Sequence, residues 1–159
     1  LRALGRERLG PLEEVRLSLR AWPVDLDTNL HVNNGRYLTL MDFGRYHQAI
    51  RTGLLGAMVR NRWWPLLGAA SIRYRREIRV FDRFDLVTRL AFWDEKWFYM
   101  EQRFERAGEV HASAFVRGVL KQRGRTIPPA ALLRAVGHDG VSPPPPSTAL
   151  SRFIEAQAA

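Results

Sequence analysis

Between residues 35 and 50 apolar side chains fall around most of a helical cylinder, and beyond Pro65 the chain switches to a sustained two-residue alternation. Tyr37, Leu40, Met41 and Gly44 stand at i, i+3, i+4 and i+7, while Leu38, Phe43, Tyr46, Ala49 and Ile50 spread the apolar surface round the cylinder. A helix apolar on most sides is expected to be buried on most sides. Asn33 and Asn34 suit its start as capping residues, and Gly53 and Gly56 suit its end.

The flanking segments say what can cover such a helix. Residues 14–22 alternate, with Val15, Leu17, Leu19 and Ala21 on one side and Glu14, Arg16, Ser18 and Arg20 on the other, the period of a half-buried strand. After Pro65 come Ile72, Tyr74, Ile78 and Val80, then Phe84, Leu86, Leu90 and Phe92. Asp94-Glu95-Lys96 reads as a hairpin turn, Phe98, Met100 and Phe104 mark the next strand, Ala107-Gly108-Glu109 turns the chain, and residues 110–121 close the set. Short connections between these four runs predict an antiparallel meander. Further on, residues 128–136 suit a short helix, Pro143 to Pro146 form an extended spacer, and Leu150, Phe153 and Ile154 suit an amphipathic turn that docks on the body or on a second subunit.

One sheet and one apolar helix leave no third layer, so the sheet has to curve around the helix to bury it. The expected class is therefore α+β, in the hotdog arrangement of a curved antiparallel sheet wrapped on a long central helix. With 159 residues, 46% of them hydrophobic, the chain fits one compact domain. Its expected limits are residues 14–122, between an N-terminal extension (1–13) and a C-terminal extension (123–159).

The formal net charge is +9, and Lys96 and Lys121 are the only lysines, so nearly all the positive charge is arginine. That balance favours anionic partners such as nucleic acid, an anionic membrane, phosphate-bearing molecules or an acidic protein, although a GC-rich genome explains the arginine equally well. With no cysteine, a disulfide framework, a thiolate metal site and a cysteine nucleophile are all excluded. His47 and His111 have no metal-like arrangement with a carboxylate, and no metal is expected. No apolar run reaches the length that spans a bilayer, and the arginine-rich residues 1–10 do not read as a signal peptide. The cytoplasm is the expected location.

Chemistry concentrates between the first strand and the helix, at Asp25-Leu26-Asp27-Thr28-Asn29-Leu30-His31-Val32-Asn33-Asn34-Gly35-Arg36-Tyr37. Free backbone N–H groups at a helix start, with the positive end of its dipole, stabilise an oxyanion. A carboxylate beside them adds a base or nucleophile, and together these are the minimal parts for acyl transfer from a thioester. Asp, Asn and His also serve turns and caps with no chemistry at all, so composition alone does not decide between the two.

The whole string resembles the signature of the 4-hydroxybenzoyl-CoA-thioesterase-like branch of the hotdog superfamily, in which the second Asp of an Asp-x-Asp pair is catalytic. It is closer still to the plant fatty acyl-carrier-protein thioesterases, whose catalytic half carries the run D-L-D-x-N-x-H-V-N-N, present here without a gap over residues 25–34. Tyr74-Arg75-Arg76-Glu77 is similar to a Y-R-R-E string of the same family. The chain also resembles an animal and bacterial group of thioesterase-superfamily proteins.

The resemblance implies an acyl-CoA or acyl-carrier-protein thioesterase of fatty acid metabolism, with Asp27 as general base or nucleophile. Asn29 would orient water or substrate, His31 would stabilise charge or hold Asp27, and Glu77 would join the network; a Glu between arginines is otherwise a solvated ion pair. The backbone N–H groups of Asn34 and Gly35 are the expected oxyanion donors. Asn33, Arg36, Arg45, Arg75 and Arg76 are the expected substrate-binding residues. Asp25 is assigned to the turn, and Asp42 either pairs with Arg45 or faces a subunit boundary. No cofactor is expected beyond coenzyme A as part of the substrate. The plant enzymes carry two hotdog halves in one chain, so a second copy has to supply the partner here, giving a homodimer or tetramer. Two other functions compete. A non-catalytic acyl-binding hotdog protein would keep the fold without turnover. A nucleic-acid-binding protein would explain the charge, but the basic residues are scattered and most aromatics fall on apolar faces, so nucleic acid is not the expected partner.

Overall fold

A computed structural model describes residues 8–158 of the chain, so the first seven residues of the N-terminal extension lie outside the described residues. Strand β1 (Val15–Arg20) leads through a short 3-10 turn at Pro23–Asp25 into helix α1 (Asn34–Arg51). Helix α2 (Leu54–Asn61) follows, then strands β2 (Trp64–Tyr74), β3 (Arg83–Trp93), β4 (Trp97–Arg106), β5 (Glu109–Gln122) and β6 (Arg125–Ile127), and finally helices α3 (Pro129–Ala135) and α4 (Thr148–Ala156). The strands form one antiparallel sheet in the order β1-β3-β4-β5-β2, with β6 folding back on β5. The curled sheet and its long helix make the hotdog arrangement.

Helix α1 lies against one face of the sheet. Its buried stripe of Tyr37, Leu40, Met41, Gly44, Gln48 and Ala49 has the 3-4-3-4 spacing of one helix face. The upper part of that stripe joins Phe84, Leu86, Leu90, Met100, Phe104, Ala112, Ala114 and Val116 in the main core. Strands β4 and β5 alternate over much of their length while β2 is exposed along nearly all of its own, and α4 closes the opposite face of the sheet, where Leu150 and Phe153 pack on Ala91 and Tyr99. Ala49, Leu54, Met58 and Leu120 form a second, smaller cluster under α2. Asp94 fixes the β3-β4 hairpin by accepting the N–H groups of Lys96 and Trp97. Ala107 and Gly108, both at positive φ, make the tight β4-β5 turn.

Four expectations from periodicity are corrected. The four-run meander holds only for β3, β4 and β5, because β2 pairs with β5 and lies at the far edge from β1. Alternation fixes which side of a strand is apolar, not which strand is its neighbour. The strand that was to carry Ile78 and Val80 stops at Tyr74; beyond it the N–H groups of Arg75 and Arg76 both turn to the His111 carbonyl, and the chain crosses toward β3. Gly53 ends α1 as expected, in the left-handed conformation just past the Thr52 cap, but Gly56 does not: it lies inside a second helix, α2, that starts directly after Gly53. Finally, α1 is buried along one stripe rather than on most sides: Leu38, Phe43 and Tyr46 are 43%, 51% and 56% exposed. A single curled sheet covers only one side of a helix.

Helix α1 comes close against the sheet at Gly44. An added Cβ there would stand 2.7 Å from Leu86 Cδ2, 2.7 Å from Thr88 Oγ1 and 2.8 Å from Gln102 Nε2. Gly44→Ala should therefore destabilise the fold by about 1–3 kcal/mol, the usual range for forcing an extra carbon into a close-packed site, despite the better helix propensity of alanine. Chemical denaturation measures this, and an unchanged or raised stability would show that the helix sits farther from the sheet.

Candidate active site

The polar segment ahead of α1 folds into a closed turn. Asp27 N–H donates to the His31 carbonyl at 3.0 Å, Leu30 N–H to the Asp27 carbonyl at 3.1 Å, and Leu30 takes a positive φ of 61° to close it. Two further bonds hold the turn down: Val32 N–H to the Ile78 carbonyl at 2.8 Å, and Asn33 N–H to the Asp25 carbonyl at 2.8 Å. A β-bridge joins His31 to Arg79, which lays the segment after β2 alongside the motif. Ile78, fully buried in the main core, anchors that segment.

Within this frame Asp27 and His31 come together. Asp27 Oδ1 accepts the Asn29 N–H at 2.9 Å, and Oδ2 stands 3.6 Å from His31 Nδ1. Both side chains are partly open, at 21% and 27% exposure, so a substrate can reach them. Asn29 acts on Asp27 through its backbone, and its exposed side chain is left to solvent.

At the helix start the two expected oxyanion donors differ. Gly35 N–H is already committed to Asn33 Oδ1 at 2.8 Å, an N-cap bond that removes it as a free donor. Asn34 N–H has no protein acceptor among the described residues. The Asn34 carbonyl accepts the Tyr74 hydroxyl at 3.0 Å, so the last residue of β2 is tied to the start of α1. Tyr74 packs edge-on against Tyr37, with ring centroids 5.1 Å apart. Burial pushes the Tyr37 hydroxyl up to about 12, which keeps it protonated beneath the helix start.

The expected substrate-binding residues are mostly engaged by the protein itself. Asn33 serves as the N-cap. Arg36 Nε donates to Asp25 Oδ1 at 2.6 Å, and Asp25 also accepts the Trp22 N–H at 2.8 Å. Asp25 thus does more than serve the turn: with only 6% of its side chain exposed, it clamps the turn to the first turn of α1. Arg45 pairs with Asp42 and donates to Gln102 Oε1 at 2.8 Å. Burial lowers the Arg45 pKa, against the pull of Asp42. Arg76 pairs with Glu109 at 3.2 Å, which leaves Arg75 as the one of the four arginines with no ion pair among the described residues. Glu77 is half exposed and pairs with Arg79, the solvated ion pair that a Glu among arginines suggests. Its carbonyl meets His111 Nδ1 at 2.9 Å.

Sequence reading passed over one cluster. Arg60, Arg62, Arg123 and Arg125 surround the exposed Trp64 at the opposite end of β2, and none has an ion pair among the described residues. Proximity of α2 to the β5-β6 turn creates it, and neither segment shows it alone. Among the described residues no group of three or more His, Asp or Glu side chains could hold a metal, and no helix is long and apolar enough to cross a membrane.

A model of the thioesterase-like superfamily matches residues 21–152. Protein THEM6 of Xenopus laevis is 41% identical over 105 residues, which are 66% of this chain and 49% of that protein. The thioesterase lcsJ of Purpureocillium lilacinum is 27% identical over 164 residues, covering 87% of this chain and 52% of its own length. The chain spans about half the length of these curated relatives. Among solved structures, BH1999 gentisyl-coenzyme A thioesterase superposes with a TM-score of 0.68 at 19% identity, over 76% of this chain and 99% of its own, a likeness that shows the shared fold.

The buried Asp25–Arg36 pair and the open Asp27 predict opposite sensitivities. Asp25→Asn should cost about 1–3 kcal/mol, the range for weakening a hydrogen bond to a charged group, while Asp27→Asn should cost less than about 1 kcal/mol. Denaturation of both variants measures this; equal losses would show that the two carboxylates do not divide the work this way.

Proposed function

As the chain belongs to the thioesterase-like superfamily, we propose that it hydrolyses acyl thioesters of coenzyme A or acyl-carrier protein to free acid and thiol. The observation that carries this reading is the Asp27–His31 pair, held open in a rigid turn directly before the N-terminus of α1. Hydrolysis needs a group that attacks or activates water, and a site for the charge that develops on the carbonyl oxygen. Asp27 fills the first role as base or nucleophile. Its Oδ1 is fixed by the Asn29 N–H, which leaves Oδ2 to act beside His31. The free Asn34 N–H and the positive end of the helix fill the second.

We further infer that the active unit is a homodimer. Strand β2 is an edge strand 11 residues long, with Trp64, Leu66, Leu67 and Tyr74 between 43% and 67% exposed. A long apolar edge invites pairing with another strand, and a two-fold axis lets the same strand pair with its own copy. The exposed Leu38, Phe43 and Tyr46 of α1 supply further apolar area for the same partner. Antiparallel self-pairing about the middle of β2 sets the Trp64 end of one copy near the Tyr74 end of the other. The unpaired arginines around Trp64 would then approach the partner's catalytic turn, where phosphates of coenzyme A or an acidic carrier protein would meet them.

Asp27→Asn should lower kcat by about 10²- to 10⁴-fold, the usual worth of a positioned base, with folding intact; full activity in this variant would overturn the assignment. Sedimentation should give a dimer or larger, and a fully active monomer would remove the second copy from the account.

A further inference from the structure

A cavity of about 160 Å³ lies between the second half of α1, α2, α3 and the sheet, and the exposure of its lining residues separates a floor from a mouth. At the floor Leu54, Met58, Leu120 and Leu133 are between 1% and 8% exposed. Leu132 of α3 lines the cavity as well, and packs on the cluster of Leu54, Met58 and Leu120. At the mouth Tyr46 of α1 and Leu66 and Leu67 of β2 are between 53% and 56% exposed.

The mouth residues belong to the face that two-fold pairing of β2 covers, so the cavity opens toward the partner and not toward solvent. That pairing sets Trp64 of one copy beside Tyr74 of the other. The Tyr74 hydroxyl is bound to the Asn34 carbonyl at the start of α1, next to the turn of Asp27 and His31. Leu66 and Leu67 follow Trp64 by two and three residues, about 7–10 Å along a strand. An acyl chain whose thioester sits at the partner's turn therefore meets this mouth within a few carbons.

Polarity falls from mouth to floor. Asp42 and Arg45 also line the cavity, but they pair with each other, and Asp42 is exposed. Leu54, Met58, Leu120, Leu132 and Leu133 offer nothing to a charge, and a carboxylate pushed among them would lose its hydration without gaining a partner. The end of the chain that reaches them has to be an unsubstituted hydrocarbon.

We propose that Leu132 and Leu133 of α3, with Met58 of α2, form the floor of an acyl-chain pocket and set the longest chain that the partner's turn can serve. This step rests on the thioesterase and homodimer readings above. A cavity of this size takes about six carbons, and further carbons span the boundary, so the substrate is a fatty acyl thioester with a plain methyl end. Helix α3 lies in the C-terminal extension, outside the expected domain limits, yet it fixes the chain length.

Binding tests this apart from turnover. The affinity of the Asp27→Asn protein is measured for saturated acyl-CoAs of graded length, from butanoyl to octadecanoyl. Affinity should rise about fourfold for each carbon that enters the cavity, and stop rising at a definite length beyond hexanoyl. Leu132→Ala in the same background opens the floor by the three carbons it removes and should move that break up by about three carbons. Ala49→Leu, at a buried lining residue, adds three carbons and should move it down by as many; either variant that folds suffices. An affinity independent of chain length, a rise with no break, a break that stays in place in a folded variant, or equal binding of an acyl-CoA with a terminal carboxylate would each overturn the proposal. If the unaltered protein hydrolyses none of these thioesters while the break moves as stated, the thioesterase reading fails and the pocket with its α3 floor stands. If it hydrolyses them and the break does not move, the pocket assignment fails alone.

Discussion

The tight contact between helix and sheet at Gly44 and Gln102 is the constraint on which the rest of the molecule depends. Gln102 is fully buried on β4, where an unpaired amide would be expensive. Its Nε2 donates to the Met41 carbonyl at 2.9 Å and to Thr88 Oγ1 at 3.0 Å, and its Oε1 accepts from Arg45. One side chain thus ties the middle of α1 to two neighbouring strands, and Gly44 lets the helix come near enough for it to reach. A long helix pinned at its centre carries both its ends to fixed places. Its start meets the polar turn of Asp27 and His31, and its second half lines the cavity against α2 and α3.

The two regions differ in how their polar groups are satisfied. Around the turn of Asp27 and His31 nearly every buried polar group has a partner: Asp25 holds Arg36 and the Trp22 N–H, Asn33 holds the Gly35 N–H, and Tyr74 holds the Asn34 carbonyl. What remains open is one edge of Asp27, its neighbour His31 and the Asn34 N–H. Such a frame pre-organises a few reactive groups and fixes the rest, the arrangement that makes electrostatic stabilisation effective. Farther along α1 the opposite holds, for Gln48 Nε2 is buried with no hydrogen-bond partner among the described residues.

Much of this was legible from the sequence, for identifiable reasons. The helix, the strands β3 to β5 and the turns between them announce themselves by period and by turn residues, and residues 25–34 match a family string position by position. Strand order was not legible, because the two-residue period of β2 is the same whether it pairs with β3 or with β5. Nor was one-sided burial of α1, since apolar residues on its outer face look the same whether they meet this chain or a second copy. Helix α2 was missed because Gly53, which does end α1, is also the left-handed residue from which a second helix starts. The intramolecular pairing of two arginine candidates was hidden for a related cause. Arg36 and Arg45 sit where a substrate grip was expected, but Asp25, eleven residues from Arg36, and Asp42, one helical turn from Arg45, already hold them. Charge counts give no account of such pairings, and Arg60, Arg62, Arg123 and Arg125, which have no ion pair among the described residues, come together only through α2 and the β5-β6 turn.

The central claim is that the open Asp27–His31 turn hydrolyses thioesters. Its most direct test is thiol release by the purified protein from a panel of acyl-CoAs of graded chain length, run beside an equally folded Asp27→Asn variant. Saturable turnover on long-chain members of the panel, lost in the variant, is the predicted result. A folded protein that binds these thioesters and releases no thiol from any of them would contradict the claim, and would leave an acyl-binding hotdog protein in its place.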